Sequence, residues 1–136
     1  MARHYWKRPL SYIGYGGTGK QVRDILHIED LLRLVDRQIH EPDLFQGKVY
    51  NVGGGLAGST SLQEMTTLCR QITGNEVPVR PELQGRPADL RIYLSDHAKI
   101  TRETGWRPEK STSDILTDIF HWIRANETTL KPILDA

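Results

Sequence analysis

The chain has 136 residues, a formal net charge of +1, 38% hydrophobic and 26% charged residues, and a single cysteine, Cys69. One domain spanning residues 1–136 can bury roughly two-thirds of its unfolded surface at this length, and near-neutrality argues against nucleic acid or an anionic membrane as partner. No apolar run reaches the ~20 residues of a membrane span, no export leader is visible, and an internal disulfide is excluded, which together point to a soluble cytoplasmic protein.

In chain order, Leu10 to Ile13 reads as a short strand, followed by the glycine-dense turn Gly14-Tyr-Gly-Gly-Thr-Gly19. Ile28, Leu31, Leu32, Val35 and Ile39 recur at helical spacing and predict an amphipathic helix. Lys48 to Val52 has the near-continuous apolar character of a parallel-sheet strand and leaves through Gly53-Gly-Gly55. Ser61 and Glu64 form a capping box that opens a helix. Leu62, Met65, Leu68, Cys69 and Ile72 lie on one face of that helix, and Gly74 ends it. Val77-Pro-Val79 resembles an edge strand, and Leu90 to Leu94 a further strand. Asp96 caps a short helix closed by Gly105. Ser111 or Thr112 caps the last helix, whose stripe is Ile115, Leu116, Ile119, Phe120 and Ile123; Trp122 lies off it.

Alternating strands and helices give an α/β class. The strand Lys48–Val52 lacks obvious flanking strands, so it is expected to complete a parallel sheet whose other strands are missing, or to self-associate.

The glycine turn fits G-x-G-x-x-G literally and, with Lys20, all but the last place of G-x-x-x-x-G-K-[ST]. Either motif aims backbone N–H groups and a helix N-terminus at phosphates. Against that, Gln21 lacks the magnesium-binding hydroxyl, and no acidic residue closes a strand about 20 residues on. The alternation of Val22, Asp24 and Leu26 instead suggests a glycine hairpin, with residues 20–26 extended and paired to 10–14. A small phosphate-loop protein remains the alternative, and predicts a helix starting near Lys20.

Three motifs carry a resemblance. Pro9 to Leu31, with its glycine turn and Val22-Arg-Asp-Ile-Leu-His-Ile-Glu-Asp30, resembles the corresponding segment of extended short-chain dehydrogenase/reductases. These include the NAD-dependent nucleotide-sugar epimerases and dehydratases. Val49-Tyr-Asn-Val-Gly-Gly-Gly55 is similar to their "YNVGGG" strand. Gly85-Arg-Pro-Ala-Asp89, with Arg91, Tyr93, Asp96, Lys99 and Thr104-Gly-Trp-Arg-Pro108, resembles a further block. The wording around Gly19 to Ile28 and Arg86 to Tyr93 is most similar to the CDP-paratose (CDP-tyvelose) 2-epimerase type.

The resemblance implies the C-terminal, nucleotide-sugar-binding portion of a Rossmann-type epimerase. The family's cofactor fingerprint and Tyr-x-x-x-Lys are absent from the sequence. The chain is therefore expected to begin mid-protein and to have no catalytic residue or cofactor of its own, NAD being bound in the parent enzyme. By the same resemblance, Arg23 and Arg86 clamp the diphosphate of a nucleotide sugar, a CDP-sugar being the expected ligand. Guanidinium suits that role through paired hydrogen bonds and a charge that does not titrate away. Ser11, Tyr12 and Ile13 match a strand running alongside the base. Gln21 and Asn51 could bond ribose or phosphate, or tie down a turn. Asp24 and Asp89 are expected behind the two arginines, orienting or neutralising them. The five histidines show no metal-ligand spacing, and no metal is expected.

Overall fold

The computed structural model describes residues 1–85 and 87–135. Its elements run α1 (Ala2–Tyr5), β1 (Leu10–Ile13), β2 (Val22–Asp24), α2 (Ile28–His40), α3 (Pro42–Phe45), β3 (Ser59–Ser61), α4 (Leu62–Thr73), β4 (Val79–Glu82), β5 (Ile92–Tyr93), α5 (Ala98–Thr104), α6 (Thr112–Ala125) and α7 (Glu127–Leu134). Among the described residues, no helix is long and apolar enough to cross a membrane.

The strands form two small sheets. β1 pairs with β4 in parallel, with Leu10 opposite Val79 and Ile13 opposite Glu82. β2 lies between β3, antiparallel, and β5, parallel. The class is α/β with parallel strands, as expected.

The hairpin is not. Residues 22–24 are extended, but they pair with β3 and β5 rather than with 10–13. Gly14, Gly16, Gly17 and Gly19 all take positive φ, and Tyr15–Gly17 turns as a short 3-10 helix. The connection 14–21 exceeds the two to five residues of an ordinary hairpin. It carries the chain out of one sheet and into the other. The Gln21 side chain, not a ladder bond, tethers it back: Nε2 donates to the Ile13 carbonyl at 2.5 Å. No helix follows Gly19, because α2 starts only at Ile28.

The expected strand 48–52 also fails to form, since no ladder bond is recorded there among the described residues. A strand is stabilised through its neighbours' N–H and C=O groups, and none is beside it. Val49 is 84% exposed, whereas Tyr50 and Val52 pack against a core of Leu34, Phe45, Ile100 and Trp106.

Helix α2 forms where the spacing predicts it, with its aliphatic stripe in solvent. Ile28, Leu32 and Ile39 are 71%, 63% and 68% exposed, and Leu31 and Val35 are exposed too; the buried residues are Asp30 and Leu34. Apolar periodicity located the helix, but did not say what would cover its stripe.

The other helices follow their local signals. In α4 the Ser61 hydroxyl accepts from the Glu64 N–H at 3.2 Å and Glu64 accepts from the Ser61 N–H at 2.8 Å; Gly74 ends the helix left-handed. Cys69 is buried and reduced. Ser111 and Asp114 form an equivalent box on α6, which buries Ile115, Leu116 and Ile123 and leaves Ile119 exposed. Trp122 is exposed, off the buried stripe. Strand β4 begins two residues later than expected, β5 is shorter, and α7 was not anticipated.

Candidate nucleotide-binding site

A cleft of about 280 Å³ opens where β1, β2, β3 and the first turn of α4 meet. β1 contributes Ser11 and Ile13, which share a face because side chains alternate along a strand. β2 contributes Arg23, with Gln21 just before it; Thr60, Leu62 and Met65 supply the opposite wall, and Asp89 closes one side.

Arg23 is held at several points. Its Nη2 donates to Asp89 Oδ1 at 2.8 Å and to the Leu90 carbonyl; its Nη1 donates to the carbonyls of Val22 at 2.7 Å and Arg91 at 3.5 Å. The guanidinium is thus oriented by main chain and neutralised by one carboxylate that is itself only partly buried. The Arg23–Asp89 contact is a single hydrogen bond rather than a paired fork, and both side chains are partly open to solvent. The loop bearing Asp89 is tied to the glycine turn, because the Tyr15 hydroxyl donates to the Asp89 carbonyl at 2.5 Å.

Gln21 is 5% exposed and contributes to the lining of the cleft, while its Oε1 is buried without a hydrogen-bond partner. A buried acceptor left unpaired is destabilising by about 1–3 kcal/mol.

The structure brings Ser11, Ile13, Gln21, Arg23 and Asp89 together and places three other candidates elsewhere. Tyr12 points to the opposite face of β1, its ring against Gly19. Asn51 lies exposed on the 48–52 segment. Asp24 does not pair with Arg23; its Oδ2 accepts from the Gly55 N–H at 2.9 Å. Burial pushes the Asp24 carboxyl up, but hydrogen bonds from Gly55 and Ser95 outweigh it and hold the group below its ordinary value of 3.8. Arg86 lies outside the described residues. Thr60, Leu62, Met65 and Tyr15 were not anticipated; Leu62 and Met65 read simply as the apolar face of a helix.

One histidine–carboxylate cluster lies away from the cleft. His27 Nδ1 accepts from the Glu29 N–H at 3.0 Å, capping α2, and its Nε2 is 3.4 Å from Asp118. The Lys110 ammonium sits 3.3 Å from Glu29 and 3.2 Å from Asp118. It already supplies the cation that this group of acceptors would draw.

The family model described as GDP-mannose 4,6 dehydratase matches residues 7–119. The chain belongs to that family of NAD-dependent epimerases and dehydratases, within the extended short-chain dehydrogenase/reductases. It is 32% identical over 106 residues to CDP-paratose 2-epimerase of Salmonella typhi, covering 78% of this chain and 31% of that protein. It is 30% identical over 116 residues to dTDP-glucose 4,6-dehydratase of Shigella flexneri, covering 81% and 31%. Among solved structures, UDP-glucuronic acid 4-epimerase from Bacillus cereus, in complex with UDP-glucuronic acid and NAD, superimposes with a TM-score of 0.79 at 22% identity, over 91% of this chain and 38% of that one. The dTDP-glucose 4,6-dehydratase of Bacillus anthracis, in complex with NAD, gives 0.71 at 26% identity, over 93% and 37%. The chain spans about a third of the length of the relatives it matches.

Proposed function

We propose that this chain is the nucleotide-sugar-binding part of an NAD-dependent sugar-nucleotide epimerase, of the CDP-sugar 2-epimerase type. The observation that carries the reading is the Arg23 guanidinium. It lines a cleft, is aimed by three carbonyls, and is neutralised by the carboxylate of Asp89. A nucleoside diphosphate takes the place of that carboxylate, and Gln21 Oε1 accepts from the ribose or the base. Ser11 and Ile13 form the floor of the cleft, and Leu62 and Met65 cover the ligand from the helix side. Arg86, as a second phosphate-binding arginine, belongs to the same proposal. The choice of a cytidine nucleotide follows the likeness to the CDP-paratose enzyme.

NAD does not fit the glycine turn. A pyrophosphate cradle needs a helix N-terminus directly behind the glycines, and here the chain runs into β2. The redox step of an epimerase therefore belongs to a cofactor held outside these residues. The chain alone binds nucleotide and turns nothing over. A phosphate-loop protein is disfavoured on the same ground.

Calorimetric titration of the 136-residue protein with CDP, UDP, dTDP and cytidine tests this. CDP should bind more tightly than cytidine, and Arg23→Ala should remove the difference. Equal binding of CDP and cytidine, or an Arg23→Ala variant that still prefers CDP, would sink the reading. A remnant that only self-associates is the second reading, favoured by the unpaired segment 48–52. It predicts dimers and no nucleotide binding.

A further inference from the structure

The glycine turn 14–19 leads into β2, and two of its glycines press against protein backbone. The Gly14 N–H donates to the Glu82 carbonyl at 2.8 Å. A Cβ on Gly14 would lie 3.2 Å from Gly85 Cα, and one on Gly17 would lie 2.4 Å from Pro81 Cβ and 2.7 Å from its Cα. Main chain is therefore seated on main chain, along the end of β4 and the start of the connection that leads to Asp89. Glycine is the residue that allows so close an approach.

Tyr15 interrupts the glycines. Its φ is +48°, in the left-handed region that a bulky side chain disfavours. Burial does not explain a tyrosine there, since the residue is 41% exposed. What the side chain contributes is one bond, from its hydroxyl to the Asp89 carbonyl at 2.5 Å. On the receiving side Ala88, next to Asp89, is also left-handed, with a φ of +60°. Strained non-glycine backbone thus stands on both sides of this single contact, and strain of that kind persists where the surroundings hold it. Residues 89–91 in turn supply most of what holds the Arg23 guanidinium: Asp89 Oδ1 and the carbonyls of Leu90 and Arg91. Their C-terminal side is fixed by the bond from the Val22 N–H to the Arg91 carbonyl at 3.0 Å. Tyr15 fixes the other side.

We infer that Tyr15 is a positioning residue for the anion-binding arginine, acting on Arg23 through the main chain of residues 89–91. The glycine turn is the seat that brings its hydroxyl within reach of the Asp89 carbonyl. With that bond in place, residues 89–91 hold the guanidinium in one orientation at the wall of the cleft. Without it, the N-terminal side of the stretch is released and the guanidinium turns more freely. The bond is made to the Asp89 carbonyl and not to its carboxylate, so it survives when a diphosphate displaces the carboxylate. A fork held ready meets a diphosphate without first having to be ordered. What the arginine binds rests on the proposed function; that Tyr15 aims it is a property of the chain without ligand.

The test compares the 136-residue protein with its Tyr15→Phe variant, which keeps the ring and removes only the donor. Without ligand, rotation of the Arg23 guanidinium, read by nitrogen-15 NMR, should become about fivefold faster, the equivalent of one lost hydrogen bond. The melting temperature should hold, because the hydroxyl is exposed. In calorimetric titration CDP affinity should fall by a similar factor while cytidine affinity stays the same. In an Arg23→Ala background, Tyr15→Phe should have no further effect on CDP, since the two changes act through one group. The inference is overturned if guanidinium rotation is unchanged in Tyr15→Phe. It is also overturned if the substitution weakens CDP binding equally in the Arg23→Ala background, which would make Tyr15 a direct contact or a general support of the fold. The two readouts separate this from the reading it rests on. Faster rotation in a protein that binds CDP no better than cytidine defeats the proposed function alone. A preference for CDP that Tyr15→Phe leaves intact, with rotation unchanged, defeats this inference alone.

Discussion

Arg23 and Asp89 lie 66 residues apart in sequence and meet at 2.8 Å. The carbonyls of Val22, Leu90 and Arg91 hold the same guanidinium. On the proposed function, a diphosphate takes the place of the Asp89 carboxylate on Arg23.

In a fusion in which this chain replaces the matching segment of a relative, Arg23→Ala should weaken nucleotide-diphosphate binding by about 2 kcal/mol, the low end of the range for truncating one partner of a charge pair because Arg23 is partly exposed. Nucleoside binding should change little. Arg23→Lys should recover only part, because a point charge lacks the paired donors. Titration with CDP and cytidine reads both.

Gly54 should not tolerate a side chain. A Cβ there would overlap the Ile25 carbonyl oxygen, which is backbone and cannot swing aside. Gly54→Ala should cost at least ~1–3 kcal/mol, as overpacking does. Gly74→Ala is the control: its φ is +70°, but nothing lies within 4 Å. Only the left-handed backbone cost of about 1–2 kcal/mol remains there. Urea unfolding of the two variants should rank them in that order.

Asp24 makes stability depend on acid. Its folded-state carboxyl titrates below the ordinary 3.8, so the folded state binds its proton less readily than the unfolded state. That contribution is fully present above the unfolded value and is lost as pH falls through the folded one. The melting temperature should therefore hold from pH 7 to about pH 5 and drop as the pH falls below ~4. Asp24→Asn should flatten part of that drop while lowering stability at neutral pH by about 1–2 kcal/mol. An unchanged acid limb in Asp24→Asn would remove Asp24 as its source.

Asp30 ties α2 to the loop before α6. Its carboxylate accepts from Arg33 Nη2 at 2.5 Å and from the N–H groups of Glu109 and Lys110 at 3.2 Å each, while its carbonyl accepts from the Trp106 indole at 3.0 Å. Asp30→Ala strands those donors. It should destabilise by about 3 kcal/mol, at the lower end for a broken buried pair because Arg33 is partly exposed. Asp30→Asn, which keeps acceptor oxygen, should cost less. Chemical denaturation distinguishes them, and equal losses would show that packing rather than the carboxylate matters.

What the amino-acid order determined unaided is whatever closes within one turn of helix or one motif. Ser61 reaches Glu64 and Ser111 reaches Asp114 across three residues, so both caps were legible. The α4 and α6 boundaries followed from them, and so did the family, because its motifs are short and ordered. The strand after the glycine turn was legible as extended, though not its partners. Pairing β2 with β3 and β5, and β1 with β4, is a choice among distant edges that period-2 alternation does not encode.

The same limit hid the direction of α2. A stripe of aliphatics predicts that something apolar will cover it, but not whether that cover lies in these residues; the tertiary structure shows the stripe bare and Leu34 turned inward. It also assigned the carboxylates. Asp24, adjacent to Arg23, points to the glycine loop instead, because neighbouring strand residues face opposite ways, and Asp89 arrives from a distant loop to take its place. Local hydrogen bonds are specified by the residues that make them. Long-range contacts are settled only when the whole chain has chosen which surfaces to bury together.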